Sequence, residues 1–452
     1  MSTLWLDIDD LVSYLRVHAR PSGIQRVVVE IGRALQAEAP EQVGFVCRGN
    51  GPCDLVTVGW AQIEELLTPG EARKDMSVAR VVRQMGQGSG AGGTLRAIMG
   101  AQVQAVRAGV AVPAGLVRYA LERYVARRRE RLADAEALGK SIVQGAGYRL
   151  ADVARPGDTL MVLGSPWHYG DYARTIRWVR DELRMSFAVL IHDLIPVRRP
   201  QWCDHGIIMV FAQWHRMVLP LADRIFANSR ATAEDVTAFM REARLPLAAP
   251  VGVVPIGSGF GGDADRGNGG TRRISAEYVL FVSTIEARKN HELLFRVWRR
   301  LLETMPKERV PKLVFAGRSG WLVSDLMQQL ENSRWLDGHV VHVNAPTDAE
   351  LNELYENCLF TVFPSFFEGW GLPVTESLGH GRPCVSSNTT SLPEAGGAFA
   401  RYFNPHDVGD AYRVIREVIE DRAGLEAWTE EVRRDYVPTS WSAAARFLLG
   451  AF

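Results

Sequence analysis

Two carboxylates, Glu368 and Glu376, lie in the run 363–381, which reads Phe-Pro-Ser-Phe-Phe-Glu-Gly-Trp-Gly-Leu-Pro-Val-Thr-Glu-Ser-Leu-Gly-His-Gly. An apolar strand ends at Pro364, glycines turn the chain, and a helix starts near Leu372, with Pro373 tolerated in its first turn. Unsatisfied N–H groups and the positive end of the helix dipole gather at such a start and attract phosphate. In open α/β sheets ligands bind outside the carboxyl ends of the strands. A pyrophosphate-linked donor suits this arrangement: Glu376, inside the helix, can accept the hydroxyls of a ribose, and Glu368, in the turn, can reach those of a sugar. A helix-capping loop with a surface glutamate is the plainer reading of the same residues. His192 ends the apolar run 187–191, again at the carboxyl end of a buried strand, where a ligand-facing residue is expected; a satisfied core histidine is the alternative.

Strands must deliver these residues, and the sequence offers them. Short apolar runs alternate with helix-length amphipathic segments, the pattern of β-α-β units with parallel strands. Candidate strands are 3–8, 44–47, 159–163, 187–191, 224–227 and 252–255, then 278–283, 312–316, 340–343, 359–364 and 383–387. Between the two sets lies a stretch so rich in glycine and poor in apolar residues that it reads as a linker, 257–275. The expected division is an N-terminal domain over 1–256, a C-terminal domain over 276–437 and a terminal amphipathic helix over 438–452 anchored by Trp441. The N-terminal part carries an insertion, about 71–151, rich in Arg, Ala, Val and Leu. Its Gly88-Ser89-Gly90-Ala91-Gly92-Gly93 has the spacing of a dinucleotide loop but follows a basic helical stretch, not a buried strand, which disfavours that use. Arginines 118, 123, 127, 128, 129 and 131 read as a solvated helix face before a lipid-binding one.

A chain of 452 residues exceeds what one core organises, and 47% hydrophobic with 23% charged residues is an ordinary globular composition. Basic and acidic residues balance at 52 each, so no global charge draws the chain to nucleic acid or anionic lipid. Five cysteines without a close pair argue against a disulfide framework or a zinc site. The first ten residues read as a strand and not a signal peptide, and no apolar run is long enough to span a bilayer, so a cytoplasmic location is expected.

The Glu-x7-Glu spacing with Glu-Gly-Trp-Gly-Leu-Pro between strand and helix resembles glycosyltransferase family 4, and the likeness covers the whole C-terminal half. Phe281-Val282-Ser283-Thr284-Ile285-Glu286-Ala287-Arg288-Lys289-Asn290 is similar to that family's phosphate-binding loop, although relatives often have Gly at the place of Ser283 and Pro at that of Ala287. Ser391-Leu392-Pro393-Glu394-Ala395-Gly396-Gly397 is similar to its terminal loop, and His192-Asp193-Leu194-Ile195-Pro196 to a segment of its bacterial members. Ser22-Gly23-Ile24-Gln25-Arg26 resembles the early loop near donor and acceptor.

The resemblance implies a GT-B fold: α/β, with two doubly wound, Rossmann-like parallel-sheet domains facing a central cleft. It implies donor contacts from Arg288, Lys289, Glu368, Gly369, Trp370, Gly371, Leu372 and Glu376, catalytic roles for His192, Lys289 and Glu368, and an acceptor side formed by Gly23, Arg26 and Asp193. Asp7-Ile8-Asp9 looks like the metal motif of the other main glycosyltransferase fold, but the phosphate charge is met by Arg288, Lys289 and the helix start, so no metal and no other cofactor is expected. The implied activity is retaining transfer of a hexose, mannose or rhamnose favoured, from a nucleotide-sugar to a lipid-linked or oligosaccharide acceptor in bacterial surface polysaccharide synthesis. Peripheral contact with the cytoplasmic face of the inner membrane is compatible with it, and nucleic acid is not an expected partner. A sugar-nucleotide epimerase of the same fold, and a non-catalytic nucleotide-sugar-binding component of an assembly, are the alternatives.

Overall fold

The computed structural model describes residues 2–16, 18, 21, 23–67, 147–259 and 274–452. The glycine run 86–93, the arginine-rich stretch 118–131 and linker residues 260–273 lie outside them. The chain divides into two compact units. One comprises Met1–Asp7, Gly23–Val43 and Ala154–Phe452; the other comprises Ile8–Ser22 and Gly44–Val153.

The second unit contains helix α1 (Asp9–Leu15) and two strands, β2 (Val43–Arg48) and β3 (Leu55–Val58), that pair antiparallel. A reading in parallel strands alone misses β3, which is only four residues long and returns after a turn.

In the first unit, β1 (Leu4–Asp7) starts a parallel sheet and is followed by α2 (Ile24–Glu38). Strands β4 (Thr159–Val162), β5 (Ser186–Ile191), β6 (Arg224–Ala227) and β7 (Gly252–Val253) add in order beside β1. Strands β4 and β5 are buried nearly throughout, which explains why both read as unbroken apolar runs: parallel strands are covered on both faces. Helix α3 (Arg230–Glu242) follows β6 and is capped by Ser229, whose hydroxyl accepts from the Thr232 N–H.

The same unit holds a six-stranded parallel sheet. Its strands are β8 (Tyr278–Val282), β9 (Lys312–Ala316), β10 (Val340–Val343), β11 (Thr361–Phe363), β12 (Cys384–Ser387) and β13 (Ala400–Phe403), in the order β10-β9-β8-β11-β12-β13. The reversal of direction between β8 and β11 is a topological switch point, and the carboxyl ends of both strands carry candidate site residues. Helix α4 (His291–Thr304) follows β8, α5 (Asp348–Asn357) precedes β11, and α6 (Leu372–Gly379) follows it. Phe281 meets Phe363 and Phe315 edge to face, with ring centres 5.6 and 6.2 Å away, and anchors the strands whose ends form the site. Edge strand β13 interrupts its buried ends with the exposed Arg401 and the half-buried Tyr402, so it offers no apolar run to read. Both sheets thus carry the two parallel α/β layers expected. Among the described residues no helix is long and apolar enough to cross a membrane.

The last helix, α7 (Trp441–Leu449), packs on α2 from the first half of the chain, with Ala444, Ala445 and Leu448 buried and Arg446 paired to Glu38 at 2.9 Å. The Trp441 ring lies on the backbone of Gly257, so closely that a side chain there would overlap it. Trp441 is half-buried, so Trp441→Ala should cost about 2 kcal/mol, below the range for a fully buried tryptophan. Urea denaturation should show a lower midpoint; an unchanged midpoint would deny the ring its anchoring role.

Candidate active site

The loop after β8 is fixed before it binds anything. Asn290 adopts a left-handed conformation, φ 60°, and its amide donates to the carbonyls of Pro364 and Pro405 at 3.1 and 3.0 Å. The Phe366 N–H donates to the Arg288 carbonyl, so the β8 loop and the turn after β11 are stitched side by side. Arg288 and Lys289 thereby meet Glu368. The Arg288 guanidinium lies 2.8 Å from Glu368 Oε2 and 2.6 Å from Glu286 Oε1, and it donates to the Phe367 carbonyl. Lys289 Nζ is 2.6 Å from Glu368 Oε1 and stands over the Phe363 ring. Burial works against the charge on Glu368, but Arg288 and Lys289 more than offset it and hold the carboxyl down to about 2.

The turn and the helix start are equally constrained. Gly371 has φ 109°, open to glycine and strained for other residues, and Pro373 occupies the first turn of α6 as expected. The Ser391 hydroxyl donates to the carbonyls of Glu368 and Trp370, and the Glu368 N–H donates to the Thr390 hydroxyl. Glu376 is buried inside α6. Its Oε1 accepts from Arg26 Nη1 at 2.9 Å and its Oε2 from the Tyr355 hydroxyl at 3.0 Å. Arg26 also donates from Nη2 to the Gly259 carbonyl. Gly23 caps α2 with φ 55°. The sequence puts Arg26 on the acceptor side; the structure brings it to the carboxylate expected to hold the donor.

His192 sits at the carboxyl end of β5 as expected, buried, with Nε2 2.7 Å from the Leu163 carbonyl. A carbonyl only accepts, so Nε2 carries the hydrogen and the neutral ring leaves Nδ1 as an acceptor. Burial, partly countered by that hydrogen bond, lowers the His192 pKa to about 4. Gly369 lies directly against the His192 carbonyl, where any β-carbon would overlap it. The Thr232 hydroxyl stands 3.2 Å from the Gly369 carbonyl and 3.4 Å from that of His192. Asp193 accepts from the Ile195 N–H at 3.0 Å; burial raises its pKa, against the pull of Arg288 and Lys289, whose charges reach it. His192, Asp193, Arg288, Lys289, Glu368 and Gly369 thus form one neighbourhood, and Glu376 with Arg26 forms the next along α6.

Three residues of this site escape sequence reasoning. Glu394 accepts from the N–H groups of Arg230 and Ala231, both at 2.9 Å, and so caps the start of α3 from the short helical turn Leu392–Gly396. Thr232 and Tyr355 act through hydroxyls at positions that read as a helix interior. The available signal for Tyr355 is that a buried tyrosine needs a partner for its hydroxyl.

Two outcomes follow from the buried charges. Glu368→Gln takes the paired carboxylate from the buried Lys289 and leaves Arg288 with Glu286 alone, and should lower folding stability by about 3 kcal/mol in denaturant titration, whereas a surface pair would lose under about 1. His192 should remain neutral far below its ordinary value. Because its folded pKa lies under the unfolded one, it leaves stability untouched above about pH 6.5 and costs about 1.4 kcal/mol per pH unit from there down to about 4. Ring-nitrogen NMR through that range reads this directly; a midpoint above 6 contradicts it.

The family described as glycosyl transferases group 1 matches residues 272–435, which hold β8 to β13 and both glutamates. The serotype-specific mannosyltransferase WbdA of Escherichia coli is 26% identical over 282 residues, covering 62% of this chain and 34% of that protein. The O-antigen chain mannosyltransferase B of Escherichia coli is 31% identical over 175 residues, 39% of this chain and 45% of that one. The chain therefore spans between a third and a half of the length of these relatives. Among solved structures, sucrose-phosphate synthase from Thermosynechococcus elongatus superimposes with a TM-score of 0.54 at 17% identity, over the whole of both chains, and shows the shared fold. The chain has the GT-B fold, matches the glycosyl transferases group 1 family over residues 272–435, and resembles bacterial mannosyltransferases.

Proposed function

We propose that this protein transfers a hexose, mannose favoured, from a nucleotide-sugar to a glycan or lipid-linked acceptor, with retention at the anomeric carbon, as a step of bacterial surface polysaccharide synthesis. The observation that carries this reading is the convergence of Lys289, Arg288 and Glu368 beside the start of α6, with the His192 carbonyl packed on Gly369. Mannose is preferred over rhamnose because WbdA and mannosyltransferase B are named as mannosyltransferases.

In this mechanism the donor diphosphate is the leaving group, and its negative charge grows as the glycosidic bond breaks. Preorganised cations and helix N–H groups aimed at that charge lower the barrier without moving during the step. Lys289 and Arg288 supply the cations, and the Leu372 N–H at the start of α6 supplies the dipole end. Glu368 then exchanges part of its ion pairing for hydroxyls of the sugar, and Glu376 holds the ribose. The acceptor hydroxyl attacks from the face the phosphate leaves, and the departing phosphate oxygen takes its proton. His192 offers Nδ1 or its backbone carbonyl to the transferred sugar, with Asp193 beside it toward the acceptor. Peripheral contact with the cytoplasmic face of the inner membrane would bring a lipid-linked acceptor within reach.

Incubation of the protein with radiolabelled GDP-mannose and dTDP-rhamnose, with and without a lipid-linked acceptor, tests the reading. Labelled lipid supports it; an epimerised donor or binding without transfer replaces it with one of the rival activities. Lys289→Ala should lower kcat by about 100-fold or more with a smaller effect on KM. Glu376→Ala should lose donor binding first, and normal donor affinity with lost turnover would overturn its assignment.

A further inference from the structure

Glu376 is gripped on both oxygens, and the two grips differ in kind. Arg26 reaches Oε1 from a helix of the first sheet's layer, is itself partly exposed, and divides its donors between Glu376 and the Gly259 carbonyl. Tyr355 reaches Oε2 from α5, within the same sheet layer as α6, and is fully buried. Its ring is fixed from the other side: the His380 imidazole stacks on it at 4.8 Å, with 19° between the planes. His380 in turn bonds the Glu376 carbonyl through Nδ1 at 2.8 Å and the Asn352 side chain through Nε2 at 3.1 Å. Asn352 and Tyr355 are both on α5, so the Tyr355 hydroxyl, the His380 ring and the Glu376 backbone form a closed loop of contacts between α5 and α6.

We propose that Tyr355 is a positioning residue for nucleotide recognition: its hydroxyl pins Glu376 Oε2 so that Oε1 is the oxygen presented to the ribose hydroxyls. This rests on the reading of Glu376 as the ribose-binding carboxylate. A free glutamate in a helix samples several rotamers, and each must be frozen when a ligand binds. A buried neutral donor on one oxygen removes that cost in advance and fixes the plane of the carboxylate. It also leaves the second oxygen available to whatever displaces Arg26. Burial first, and the neighbouring Glu376 charge second, push the Tyr355 pKa well up, so the hydroxyl keeps its proton and stays a donor.

Titration calorimetry of the full chain with GDP and UDP, and with their 2′,3′-dideoxy counterparts, tests the proposal. The wild type should prefer the ribonucleotide, and Tyr355→Phe should weaken that nucleotide by about 10-fold while leaving the dideoxy form within about 2-fold, so the preference collapses. A tyrosine that merely filled the core would alter stability and leave the preference intact. Asn352→Ala, at a half-buried position, frees His380 and should lower the preference by about 3-fold, and it serves if Tyr355→Phe does not fold. Folded variants that keep the wild-type preference overturn the role of Tyr355. A wild type that binds ribo- and dideoxynucleotides equally removes ribose recognition by Glu376 and the proposal with it. A wild type that binds neither nucleotide defeats the nucleotide-sugar reading itself.

Discussion

A carboxylate taken out of water must be answered by cations or hydrogen bonds, and the whole site is organised around meeting that demand at Glu368. Its desolvation is repaid only because two different cations reach its two oxygens, which requires the loop after β8 and the turn after β11 to run side by side. The Asn290 amide and the bond from Phe366 to the Arg288 carbonyl hold them so. Both strands, in turn, stand on the interlocked rings of Phe281, Phe315 and Phe363. Core packing, loop conformation and charge placement are therefore one argument: loosen the aromatic floor and the cations no longer meet the glutamate.

The same segment also joins the ends of the two sheets. Gly369 admits the His192 carbonyl at a distance no β-carbon would allow, Thr232 sits within reach of both carbonyls, and Glu394 caps the helix on which Thr232 rides. Close contact between backbones needs a residue without a side chain, and the glycine beside Glu368 is where that requirement falls. Neighbouring glycine and glutamate in this turn thus meet two separate constraints, one steric and one electrostatic.

Local signals were legible in the sequence where one strand or one turn carries them. The ends of β6, β9 and β10 coincide with the apolar runs, because β6 and β10 are bounded by polar residues and β9 by Pro311 and Gly317, and the start of α6 was fixed by Gly371 and Pro373. Strand β13 was not legible, since an edge strand with Arg401 outward has no continuous apolar pattern. Pairings between remote segments were not legible either. Arg26 and Glu376 are 350 residues apart, and nothing in either neighbourhood names the other. Glu394 reads as a loop residue until α3 is seen to start on it. Residue types reveal what chemistry a segment can do, whereas partner choice depends on packing that brings distant segments together.

That partner choice changes how donor binding should be understood under the proposed function. The groups assigned to the donor are already engaged with one another: Glu368 with Arg288 and Lys289, Glu376 with Arg26 and Tyr355. Binding is then an exchange. The diphosphate takes the cations from Glu368, which frees its oxygens for sugar hydroxyls, and the ribose takes one oxygen of Glu376 from Arg26. Each exchange replaces a buried ion pair by another charge-assisted contact, so the net gain per contact is small and the desolvation has been met in advance by folding. Such a site favours a ligand that offers phosphate, sugar and ribose together, because a fragment breaks internal pairs without replacing them all. Selectivity for an intact nucleotide-sugar over its parts is the consequence of a site that is charge-balanced before anything binds.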